Sequence, residues 1–270
     1  MTDLSIAKRS VVRVSAGRVE HVEDAVAVER PLAISIDGRP VSVTLRTPGH
    51  DRLLALGFLA GEGLIRNRAA IAGVIERLAD CVDQPDAIDL TLAPGTVMDW
   101  SRLERHFAAT SACGLCGRAH LESLRQGLRP LPQGQPLDPK SLGELPDRLR
   151  KAQATFTATG GLHAAAWCDE RFEPAALFED VGRHNAVDKV AGDLLERGRY
   201  PVGSGVLWVS GRAGAEIVIK AVRAGIPVLA AVGAPSSLAV EIAEHANMTL
   251  IGFLREGRFN VYSGFERVGS

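Results

Sequence analysis

Two cysteines three positions apart, Cys113 and Cys116, carry the chemistry most easily read from this sequence of 270 residues. Gly114 and Gly117 lie on either side of Leu115 and Cys116 and keep the loop from Ser111 to Arg118 open. A helix beginning near Gly117, with Arg118 and His120 close by, favours thiolate over thiol. The thiolate is the species that attacks sulfur, so the loop suits sulfur transfer or disulfide exchange. A dithiol redox pair is the generic use of this spacing, but here the pair follows a short predicted helix, not the first strand of a βαβ unit. Zinc is a third use, since His106, Cys113, Cys116 and His120 offer four ligands, of which the cysteines alone have the usual spacing. Zinc deamination needs a His-x-Glu before a Pro-Cys-x-x-Cys. Here the pair comes first without a proline, and in the segment from Gly161 to Ala165 Ala165 stands where the Glu would be, two residues after His163. Cys81 and Cys168 read as small buried hydrophobes, and His163 as either a site residue or a core histidine.

A second chemistry lies in three glycine-bearing junctions, each predicted to follow a strand and open a helix. They are Val181 to Asn185, Ser210 to Gly214 and Gly233 to Ser237. Helix N-termini offer free N–H groups and a dipole that favours anions, and in open α/β sheets ligands gather beyond the carboxyl ends of the strands. Gly182, Gly211, Gly214 and Gly233 let backbone approach a phosphate, Arg183 and Arg212 can clamp one, and His184 and Asn185 can hydrogen-bond a base or ribose. No full Walker or dinucleotide fingerprint accompanies them. Asp180 and Asp188 suit a metal or, more usually, salt bridges to Lys189 or Arg183.

The elements that must hold these loops follow from periodicity and turn residues. Val11–Val14 and Asp24–Val28 are β-type, Leu32–Ile36 and Val41–Leu45 form a hairpin about Asp37 to Pro40, and Asp51 to Leu64 has helical spacing. Val74–Leu78 and Ile88–Leu92 add strands, Leu103–Ala109 and Arg118–Arg125 read as helices, the stretch from Arg129 to Pro139 is a loop, and Leu142–Ala154 is helical. Beyond Gly160 strands at Leu177–Asp180, Gly205–Val209, Ile226–Val232 and Thr249–Leu254 alternate with helices ending at Leu195, Val222 and Ala246, with Phe259–Tyr262 as a last strand. Such alternation predicts crossovers, a largely parallel sheet and helices on both faces. The expected division is a small α+β domain over residues 1–110, to which the last strand can return, and an α/β domain over 111–270.

Composition narrows the setting. The chain is 46% hydrophobic and 23% charged with a formal net charge of −1, ordinary for a globular protein. That balance gives no general attraction for nucleic acid or an anionic membrane surface. No apolar run approaches the ~18 residues of a membrane span. The first residues lack a hydrophobic stretch after their basic pair, so a cytoplasmic location with reduced thiols is expected.

Taken together, these motifs resemble the formate dehydrogenase accessory sulfurtransferases, the FdhD family. The resemblance runs through Arg30-Pro31 and its hairpin, Thr47-Pro48, Gly57 to Gly63, Ser111 to Gly117, Thr159 to His163, Asp180 to Lys189, Ser210 to Arg212 and Phe259 to Tyr262. It is weakest before residue 28 and between residues 129 and 150. It implies a cytidine-deaminase-like α/β/α large domain without the deaminase zinc chemistry. It also implies a role: taking sulfur from a cysteine desulfurase and delivering it to the molybdenum or tungsten of a bis(molybdopterin guanine dinucleotide) cofactor, bound as substrate, for the formate dehydrogenase apoenzyme. Cys113 matches the persulfide-bearing cysteine, and Cys116 is its partner in relaying or resolving the sulfur. Phe259, Asn260, Val261, Tyr262, Ser263 and Gly264 match the cofactor-binding stretch. The strand-end residues Gly182, Arg183, His184, Asn185, Ser210, Gly211 and Arg212 would then hold the guanine nucleotide ends, which resemble GDP. A homodimer is the assembly the resemblance implies. A zinc-stabilised cofactor chaperone and a thiol–disulfide oxidoreductase are the alternatives from other classes.

Overall fold

The computed structural model describes residues 4–79, 84–100 and 127–268. The predicted helices at Leu103–Ala109 and Arg118–Arg125, the cysteine loop, Cys81, and the expected boundary at residues 110 and 111 lie outside the described residues. The chain opens with an antiparallel ribbon of β1 (Ile6–Ser15) and β2 (Arg18–Ala27), turning at Ala16 and Gly17, both at positive φ. Both strands are longer than their apolar runs suggest, because Lys8, Arg9, Glu20 and Glu23 occupy exposed ladder positions.

A four-stranded sheet follows in the order β4-β3-β6-β5, built from β3 (Arg30–Ile36), β4 (Arg39–Arg46), β5 (Ile71–Arg77) and β6 (Asp86–Leu92). Leu32, Ile34 and Ile36 alternate inward on β3, and Ile88 and Leu90 join them from β6. Helix α1 (Asp51–Gly61) lies under this face.

The second half forms a six-stranded sheet in the order β12-β11-β10-β9-β7-β8. Its elements are α2 (Pro139–Lys151), α3 (Ala154–Thr159), β7 (His163–Cys168), β8 (Pro174–Asp180), α4 (Arg183–Glu196), β9 (Val206–Val209), α5 (Ala215–Arg223), β10 (Val228–Ala231), α6 (Ser237–His245), β11 (Thr249–Arg255) and β12 (Arg258–Ser263). Only β9, β10 and β11 pair in parallel; β7 and β12 pair antiparallel to their neighbours. The largely parallel sheet expected from the helix–strand alternation is therefore mixed. The reason is local: β8 follows β7, and β12 follows β11, through short turns that can only fold a strand back. The last strand does not return to the small sheet, because β12 pairs with β11.

Helices do cover both faces of this sheet. Val206, Trp208, Val228, Ala230, Ala164 and Ala166 face α2, against Leu142, Leu145 and Leu149. The alternate residues Leu207, Val209, Leu229, Ala231, Ala165 and Trp167 face α4, α5 and α6. That second core continues without a break through α1 to Leu32, Ile34 and Leu90 of the small sheet. Among the described residues no helix is long and apolar enough to cross a membrane.

Candidate functional site

The six-stranded sheet gathers four segments along one edge. Because β7 runs antiparallel between β8 and β9, its N-terminal residue His163 pairs with Asp180 at the C-terminal end of β8. Ala165 pairs with Val209, which places His163 beside the loop Ser210 to Gly214. That loop is strapped to the one after β10: Gly233 N–H donates to Gly211 O at 3.0 Å, Ala213 N–H to Ala234 O at 3.2 Å, and Ser236 N–H to Ala213 O at 3.2 Å. Phe253 N–H reaches Gly233 O at 3.1 Å, and Asn260 on β12 pairs with Gly252, so the start of the last strand joins the same edge.

At this edge the termini of α4 and α5 stay open. Gly182 and Gly214 are their N-cap residues, and neither helix has a side-chain cap. Among the described residues the first-turn N–H groups thus have no side-chain cap, and they present the positive end of each helix dipole. Helix α6 differs, since the Ser236 hydroxyl accepts from Ala239 N–H at 3.2 Å.

Two side chains, Arg183 and His163, meet at Gly211. Arg183, the first residue of α4, is partly buried, and its Nε is fully buried without a hydrogen-bond partner among the described residues. His163 is also partly buried; burial, then the positive charge of Arg183, holds its imidazole below the ordinary histidine pKa. Both border Gly211, where an added Cβ would lie 3.4 Å from His163 Nδ1 and 3.8 Å from Arg183 Cδ. His184, next on α4, pairs its Nε2 with Glu216 Oε2 at 3.2 Å, and burial again lowers its pKa. Arg212 is exposed at the rim.

Other motif residues serve the joint between the two sheets. The buried Asp180 carboxylate accepts from Gly182 N–H at 2.8 Å, Asn185 Nδ2 at 2.9 Å and Thr47 N–H at 3.2 Å, and pairs with Lys189 Nζ at 2.7 Å. Asn185 Nδ2 also donates to Leu45 O at 2.8 Å, and Lys189 Nζ to Thr47 O at 3.1 Å. Asp188 binds Lys220 Nζ at 2.6 Å, inside the α1–α4–α5 junction. Burial works against the Lys220 ammonium, but Asp188 and Glu62 outweigh it and hold its pKa above the ordinary lysine value. The Asp180–Lys189 string is therefore a clamp between the sheets, with Asn185 turned into the clamp and Arg183 lying instead near Gly211.

The remaining sequence-selected residues divide along two strands. Ser210 Oγ accepts from Ala164 N–H at 2.9 Å and fixes the β7–β9 pairing. Phe259, Asn260, Val261 and Tyr262 run down β12 from this sheet edge. Ser263 and Gly264 lie at its far end, where the Ser263 hydroxyl donates to Met248 O at 2.7 Å and Gly264 O accepts from Thr249 Oγ1 at 2.9 Å. His163 is the residue whose place was hardest to read, because its strand is a run of alanines without β-type signal. Cys113, Cys116, His106 and His120 lie outside the described residues.

Along this strand edge lie groups whose chemistry suits an oxyanion: a guanidinium, two helix N-termini without a side-chain cap and an imidazole held below its ordinary pKa, with exposed Arg212 beside them. A model of the FdhD/NarQ family matches residues 27–269 of the chain. The chain belongs to that family. The match begins where the β1–β2 ribbon ends. The sulfur carrier protein FdhD of Streptomyces avermitilis is 46% identical over 267 residues, covering 97% of this chain and 95% of the relative. The sulfur carrier protein FdhD of Mycobacterium tuberculosis is 45% identical over 270 residues, covering 97% and 98%. A crystal structure from Desulfotalea psychrophila, provisionally described as a formate dehydrogenase accessory protein, superposes with a TM-score of 0.78 at 22% identity. It covers 98% of this chain and 100% of its own. The overall architecture is thus that of an FdhD-type fold.

Proposed function

We propose that this chain is a persulfide-carrying sulfurtransferase serving formate dehydrogenase. The observation that carries the proposal is the near-full-length identity of 45–46% to relatives named sulfur carriers, in a chain that holds the Cys113–Cys116 loop. Cys113 thiolate attacks the outer sulfur of a cysteine desulfurase persulfide. The old S–S bond breaks, the desulfurase leaves as thiolate, and Cys113 carries the persulfide. The edge of the six-stranded sheet at the C-terminal ends of β9, β10 and β11 receives the substrate, a molybdenum or tungsten bis(molybdopterin guanine dinucleotide), by its phosphates. Arg183, the first turns of α4 and α5, and Gly211 hold one guanine nucleotide end, and Arg212 and the start of β12 lie where they can reach the rest. The persulfide S–S bond then breaks: Cys113 leaves as thiolate with the bonding pair, the outer sulfur gives its proton to solvent, and the substrate metal supplies the two electrons that make that sulfur its sulfide ligand. Cys116 relays or resolves the sulfur. The working assembly is a cytoplasmic homodimer that meets the desulfurase and the dehydrogenase apoenzyme in turn.

Activation of formate dehydrogenase, reconstituted with the Cys113→Ala variant, tests the transfer step. Activation falls to background while calorimetric binding of GDP stays at the wild-type value. Full activation by the variant would remove Cys113 from the reaction.

A further inference from the structure

We infer that His163 and Arg183 form a two-point clamp for a phosphate group, and that His163 takes up a proton as the clamp closes. The inference rests on the reading of this sheet edge as a nucleotide site and adds to it a residue and a pH dependence. Arg183 has a buried Nε without a hydrogen-bond partner among the described residues, and its Cδ and the Nδ1 of His163 both border Gly211. The reversed strand β7 is what brings them together, 20 residues apart in sequence but on adjacent strand ends. A Cβ at Gly211 would be in van der Waals contact with both side chains, so the two border one backbone position that carries no side chain of its own.

The proton follows from charge. Among the described residues, the charges acting on His163 are Arg183 from α4 and Asp180 from β8, and Asp180 is already paired with Lys189. The loop after β9 brings the Ser210 hydroxyl, bonded to Ala164 N–H, and the small Gly211. Without a ligand, burial and Arg183 keep the imidazole neutral at pH 7. A phosphate dianion on Arg183 reverses that local field, which favours imidazolium and a second charge-assisted hydrogen bond. Binding therefore tightens as pH falls toward the histidine range.

Sulfate, GDP and ADP are titrated into the full-length protein while the His163 Hε1 resonance is followed by NMR. Sulfate keeps its charge throughout, so any pH dependence belongs to the protein. We expect all three to move the resonance and raise its titration midpoint. Wild-type sulfate binding should tighten at least about threefold from about pH 8 to about pH 6. His163→Gln should bind with a flat profile, and Arg183→Gln should bind at least about tenfold more weakly. GDP binding that leaves His163 unmoved, or an unchanged pH slope in His163→Gln, would overturn the clamp while leaving the nucleotide reading intact. Movement of His163 by all three ligands, with GDP no tighter than ADP or sulfate, would keep the clamp and overturn the guanine reading in favour of a free-anion site. Failure of all three to move His163 would overturn the clamp outright; the wild-type spectrum alone decides this even if a variant fails to fold.

Discussion

Cysteines show how the same residue type is assigned opposite fates by its surroundings. Cys168 is buried on β7, and burial pushes its thiol up to about 12. It should resist iodoacetamide at about pH 8 in the folded protein and label only after denaturation, as peptide mass spectrometry can read. Native-state labelling of Cys168 would show that β7 opens in solution. Its inert character was legible in sequence, since an isolated cysteine in an alanine run has no chemistry around it. Arg183 was legible too, from its place after a strand and a glycine. The duty of Asn185 was not: its contacts with Leu45 and Asp180 join segments 140 positions and five positions away, and only the first of these makes it a clamp. His163 lay between two readings in sequence because nothing local says where a strand of alanines will pair.

Helix α1 crosses α4 at a separation set by glycines. A Cβ on Gly192 would fall 1.9 Å from Leu53 O, and one on Gly57 would fall 1.7 Å from Asp188 O. Backbone thus meets backbone with no room for a methyl group. Gly192→Ala should destabilise the protein by about 3 kcal/mol or more, measured by urea unfolding. A change below about 0.5 kcal/mol would mean that the helices can separate at little cost. The motif Gly57 to Gly63 stood out in the sequence for its family resemblance, yet its structural use is this crossing. Helices and the β3–β4 hairpin were readable because their periodicities are local. The antiparallel placement of β7 and β12 was not, since pairing partners depend on turns whose direction the strand residues do not encode. The expectation of a parallel sheet held for β9, β10 and β11, where intervening helices force it.

Across the molecule, the two sheets share one core, and the margin of the small sheet is tied to α1 by buried ion pairs of its own. Arg46, wholly buried, binds Asp51 Oδ2 at 2.5 Å and Asp86 Oδ2 at 2.6 Å. Burial alone would raise the Asp86 carboxyl, but hydrogen bonds from Ala79 and Arg46, with the charges of Arg46 and Arg30, hold it below its ordinary 3.8. A carboxyl depressed in the fold contributes stability that is present above the ordinary pKa and is lost as pH falls through the folded one. Asp86→Asn should therefore cost about 3 kcal/mol at neutral pH, with the gap to wild type narrowing as pH drops below 3.8. A gap independent of pH would mean that shape, not charge, holds this margin.

In the proposed reaction Cys113 carries the sulfur. The most direct test of that role is intact and peptide mass spectrometry of the full chain after incubation with cysteine and an active cysteine desulfurase. A reductant-sensitive gain of one sulfur on the peptide containing Cys113, absent in Cys113→Ala, is the predicted result. An unmodified Cys113 and Cys116, with the desulfurase shown to be turning over, would contradict it and return the loop to zinc binding or dithiol exchange.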